Sequence, residues 1–91
     1  MGIDSKKRIP VSDLDEILRV VKEKKGDVEV DRDHNSIVMK KGSKTFKVNK
    51  NGVVKGSMPL HSFNTQRAES LEIGRDEIEV HYENGDYVFK I

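Results

Sequence analysis

Ser36-Ile37-Val38-Met39-Lys40-Lys41-Gly42-Ser43-Lys44-Thr45-Phe46-Lys47-Val48-Asn49-Lys50-Asn51-Gly52-Val53-Val54-Lys55 alternates apolar and polar residues with a period of two, so the placing of its turns decides the fold. A register error of one residue would send every side chain to the opposite face. A Gly42-Ser43 turn, with glycine first as type II′ prefers, sets Met39 opposite Phe46 and Ile37 opposite Val48. At Asn51-Gly52 a two-residue loop would oppose Val48 and Lys55, whereas a three-residue Lys50-Asn51-Gly52 loop with a glycine bulge aligns Val48 with Val54. The bulged loop is therefore expected. Upstream, a His34-Asn35 turn puts Val30 opposite Met39. The result is a four-stranded meander near residues 27–32, 36–41, 44–49 and 53–57, with Val28, Val30, Ile37, Met39, Phe46, Val48 and Val54 inward.

N-terminal to the meander, Leu14, Ile17, Leu18 and Val21 recur at helical spacing and form one apolar stripe. Ser12 is the expected cap, its hydroxyl oxygen accepting from the amide of Asp15, with Asp13, Asp15 and Glu16 at the positive end of the helix dipole. Lys22, Lys24, Lys25 and Gly26 mark the other end. Residues 1–10, with Lys6-Lys7-Arg8 and little to bury, read as a flexible basic arm preceding a single domain over 11–91. C-terminal to the meander, 57–66 contains Pro59 and no clean period, so a short helix and an extended crossing both fit. Alternation returns in Leu71 and Ile73, in Ile78, Val80 and Tyr82, and in Tyr87, Phe89 and Ile91. Arg75-Asp76 and Asn84-Gly85 are the expected turns, the second pairing Tyr82 with Tyr87 and Val80 with Phe89.

The expected fold is thus α+β: an N-terminal amphipathic helix on an antiparallel meander of about six to seven strands, as a single sheet or partly closed barrel. In outline this is similar to many small folds, half of a TATA-box-binding-like domain among them, a likeness of topology that carries no function.

Charge is segregated along the chain. From His34 to Ala68 there are six lysines and Arg67 but no carboxylate, whereas Glu69 to Ile91 holds two basic and seven acidic residues. The net charge of +1 conceals this dipole. No cysteine is present, which removes disulfides and thiolate metal sites and fits a reducing, cytoplasmic setting. No apolar run approaches the ~20 residues that span a bilayer.

Chemical motifs are weak. Asp31-Arg32-Asp33-His34-Asn35 imitates the start of a calcium loop, but Ser36 stands where the sharp turn needs glycine and Gly42 where a bidentate carboxylate belongs, so a polar turn is expected. His34, His61 and His81 match no zinc spacing and read as solvated side chains. Neither a catalytic group, a metal nor a cofactor is expected. The lysine segment is the feature with a local cost, because the register sets Lys47 directly opposite Lys55 on the outer face beside Lys40. Lys40, Lys44, Lys47, Lys50, Lys55 and Arg67 are accordingly the candidate nucleic-acid-binding residues of a non-enzymatic protein, contacting duplex DNA or RNA through phosphates. With the aromatics inward, that face offers no stacking platform for single strands. The alternative is a homo-oligomer or other protein-protein module that sets this basic face against the acidic Glu72, Glu79 and Glu83 of the C-terminal hairpin.

Overall fold

The computed structural model describes residues 7–91, apart from the side chain of His61. Its elements run β1 (Arg8–Pro10), α1 (Leu14–Lys24), β2 (Glu29–Arg32), β3 (Ser36–Lys41), β4 (Lys44–Asn49), β5 (Val54–Met58), β6 (His61–Thr65), β7 (Ala68–Ile73), β8 (Ile78–Tyr82) and β9 (Gly85–Phe89). The class is α+β, but the sheet is not one meander of six to seven strands. Among the described residues nine strands form two antiparallel sheets, ordered β2-β3-β4-β5-β6 and β1-β7-β8-β9. That departs from the single-meander outline likened to half of a TATA-box-binding-like domain.

The first sheet keeps the register expected from its turns. Val30 pairs with Met39, Met39 with Phe46, Ile37 with Val48 and Val48 with Val54. Asp33 closes the His34-Asn35 turn by accepting from the amides of Asn35 at 2.8 Å and Ser36 at 2.9 Å. In the bulged loop the Gly52 amide donates to Asn49 O at 2.9 Å, and Gly52 sits at φ +98°. A Cβ there would meet Ala68 O at 3.0 Å, and the Ala68 amide donates to Gly52 O at 2.9 Å, so the loop needs glycine both for its φ and for the approach of the second sheet.

Two strands escaped the sequence. β6 pairs with β5 across a Pro59-Leu60 turn, setting Phe63 against Gly56, so 57–66 is neither helix nor crossing but a hairpin. Its single large apolar residue gives no alternation to detect. At the N-terminus, residues 1–6 of the expected arm lie outside the described residues, while Arg8–Pro10 is the edge strand β1, pairing with β7 through Ile9 and Leu71. An edge tolerates Pro10, which has no amide proton to donate.

The two sheets face each other across one core. Phe46 and Phe89 meet with centroids 5.3 Å apart, and Phe63 stacks on Tyr87 at 3.9 Å, tying β6 to β9. Helix α1 buries Leu14, Ile17, Val20 and Val21 against this core. Its cap is Asp13, whose carboxylate accepts from the Glu16 amide at 3.3 Å, not Ser12; the Asp13 amide is held by Pro10 O at 3.0 Å, so the turn leaving β1 shifts the helix start by one residue. Beyond the helix, Lys25 is buried with Nζ donating to Arg75 O at 3.1 Å, and burial pushes its pKa down against the pull of Asp76. Arg32 of β2 pairs with Asp15 of the helix. Among the described residues no helix is long and apolar enough to cross a membrane.

Candidate nucleic-acid interface and a carboxylate-histidine cluster

Strand periodicity puts every second residue of β3, β4 and β5 on the face away from the core. The cross-strand pairs Lys40↔Thr45 and Lys47↔Lys55 place Lys40, Lys47 and Lys55 together on that face. Thr45, Ser57, Ser62 and Asn64 surround them, so β4, β5 and β6 present a polar surface without a carboxylate. Acid enters only on the β2 side, where Glu29 pairs with Lys40 in register and Asp31 with Val38. The carboxyl of Asp33 is held below its ordinary value chiefly by the amides of Asn35 and Ser36, with a smaller pull from Lys47.

The remaining candidates are placed differently. Lys44 pairs in register with Lys41 at the opposite phase, beside the Gly42-Ser43 turn, and Lys50 lies in the bulged loop at the other end of β4. They flank the lysine triangle without sharing its plane. Arg67 follows β6 and is held by Glu83 at 3.0 Å. Among the described residues no ion pair engages Lys40, Lys44, Lys47, Lys50 or Lys55. Other cations near this surface or in the N-terminal basic stretch are occupied: Lys41 with Asp27 at 3.0 Å, Lys7 with Glu16 at 3.0 Å and Arg8 with Glu72 at 3.8 Å. Lys6 lies outside the described residues.

The outer face of the second sheet corrects the reading of His81. Glu72 and Glu79 are direct cross-strand partners, as the sequence implies. His81, however, is not solvated: only 7% of it is exposed. Its Nδ1 meets Asp86 Oδ1 at 2.5 Å and its Nε2 meets Glu72 Oε2. Burial opposes the imidazolium, but hydrogen bonds to Asp86 and Glu72 outweigh it and raise the pKa. The cause lies in the last hairpin, which turns at Glu83-Asn84 instead of Asn84-Gly85. Val80 therefore pairs with Tyr87 and His81 with Asp86. A one-residue shift of the turn moves the register by two, so inward residues stay inward while His81 gains a carboxylate neighbour in place of Val88. His34 lies exposed in its turn, as expected.

These contacts also occupy most of the acidic patch. Glu72 is engaged by His81 and Arg8, Asp86 by His81, Glu83 by Arg67 and Glu77 by Lys90. No family model, curated protein or solved structure matches this chain.

Proposed function

We propose that the protein is a non-enzymatic, cytoplasmic binding module that holds the phosphate backbone of duplex DNA or RNA. Lys40, Lys47 and Lys55 are the central contacts, Lys44 and Lys50 flank them, and Arg67 joins only by leaving Glu83. One observation carries this reading: Lys47 and Lys55 are set directly opposite each other, and neither they nor the other three lysines have an ion-pair partner among the described residues. Like charges so placed repel, and a polyanion relieves the repulsion. A phosphate-led contact reads backbone and not base edges, so binding is sequence-tolerant.

Titration of the protein with a duplex at low salt tests this by NMR. Lysine resonances of β3, β4 and β5 are expected to shift, and affinity to fall with log salt at ~0.9 per phosphate neutralised on B-DNA. Lys47→Glu is expected to weaken binding about equally for all sequences and to reduce the salt slope by about 1 or more. Unmoved lysine resonances at saturating duplex would end the proposal. Pairing of the basic face with the acidic hairpin of a second copy has less to draw on, since most of those carboxylates already hold intramolecular partners. Light scattering at rising salt separates the two: a salt-resistant monomer removes the oligomer.

A further inference from the structure

We propose that Glu72, Glu79 and His81 form a binding site for a divalent transition-metal ion of the Zn2+ class, on the face of the β1-β7-β8-β9 sheet away from the core, with Asp86 as the residue that positions His81. The site is independent of the lysine surface, which belongs to the other sheet. Its three donor atoms already lie within 4.8 Å of one another. Tetrahedral coordination at Zn–N and Zn–O bonds of ~2.0–2.1 Å needs donors about 3.3 Å apart. Small rotations of two glutamate side chains cover the difference, because all three residues stand on adjacent rungs of two hydrogen-bonded strands: Glu72 opposite Glu79, and His81 next along β8 on the same face.

The arrangement around the imidazole favours a metal over simple charge balance. Asp86 holds Nδ1 at 2.5 Å, which leaves Nε2 turned toward the glutamates. A carboxylate on one ring nitrogen, with the other nitrogen facing further donors, is how ligating histidines are oriented and made more basic. An imidazolium alone bridges Asp86 and Glu72 but leaves Glu79, directly opposite Glu72, without hydrogen bond or ion pair among the described residues. A dication meeting all three donors resolves that like-charge pair. Arg8 reaches Glu72 at 3.8 Å, yet its side chain is 64% exposed and is free to swing away. The single imidazole among oxygen donors selects a borderline ion such as Zn2+ over Ca2+ or Mg2+, which take oxygen alone. On binding, the ion displaces the Nε2 proton to solvent, and a fourth position stays open to water.

Calorimetric titration of the full chain with Zn2+ at neutral pH is the direct test, read together with the Nε2 resonance of His81. One equivalent is expected to bind, shifting Nε2. Glu79→Gln removes a ligand while breaking no internal bond, so it retains the fold. Asp86→Asn is expected to lower affinity about 10–100-fold, as loss of an orienting partner does, and Glu79→Gln by more. Glu83→Gln, outside the cluster, is the control expected to leave affinity unchanged. Absence of binding, an unmoved Nε2 resonance, or undiminished affinity in Glu79→Gln would each overturn the proposal.

Discussion

Gly56 shows how one side chain's absence sets the distance between the sheets. A Cβ on it would lie 2.7 Å from two ring carbons of Phe89, closer than carbon atoms approach. Phe89 fits over β5 only because nothing projects there, and Phe46 then flanks the same ring. Gly56→Ala is expected to cost ~1–3 kcal/mol by overpacking, measured by denaturant unfolding. Combining it with Phe89→Leu should restore part of the loss, since the smaller side chain makes room for the methyl group. In sequence Gly56 is an ordinary strand glycine. Only the facing sheet gives it a reason to be there.

At the scale of elements, the helix and the last hairpin teach opposite lessons. The helix stripe was legible because four apolar residues at i, i+3, i+4 and i+7 leave one way to bury them. The cap was misread by one residue, since Ser12 and Asp13 are both good caps and the turn from β1 chooses between them. Asp13→Ala is therefore expected to destabilise the protein by about 1 kcal/mol and Ser12→Ala by much less, compared by thermal unfolding. In the hairpin, Asn84-Gly85 is the stronger local turn signal, yet the strand pairs two residues out of that register. Stacking of Tyr87 on Phe63 and seating of Phe89 beneath Gly56 outweigh a turn preference. The same shift sets Asp86 beside His81. The place of Asp86 in the carboxylate-histidine cluster was thus hidden from the sequence by one turn, whereas the Glu72–Glu79 pairing was not.

Across the whole molecule, the separation of charge seen along the chain becomes two differently treated faces. Carboxylates of the second sheet are mostly neutralised internally, whereas Lys40, Lys44, Lys47 and Lys55 of the first sheet have no ion-pair partner among the described residues. Carboxylate pairing also governs acid stability. Arg19, and then Lys7, hold Glu16 down from 4.5 to about 2, and amide bonds hold Asp33 below 3.8. Both folded values are depressed, so the stabilisation is fully present above the unfolded pKa and is lost as pH falls through the folded one. The melting temperature is expected to drop on acidification from about pH 4.5 toward pH 2. Glu16→Gln should flatten that fall between about pH 4.5 and pH 2, and Asp33→Asn should flatten it below about pH 3.8, as followed by circular dichroism at fixed ionic strength.

The chain alone determined the helix, the first four strands of the five-stranded sheet and the Lys47–Lys55 juxtaposition, because side-chain alternation and short turns are local and admit one register that keeps apolar residues together. Tertiary structure decided the division into two sheets, the short strands Arg8–Pro10 and His61–Thr65, the final hairpin's register and the surroundings of His81. Those features rest on contacts between residues far apart in sequence, such as Phe63 with Tyr87 and Ile9 with Leu71, whose energies no local pattern records.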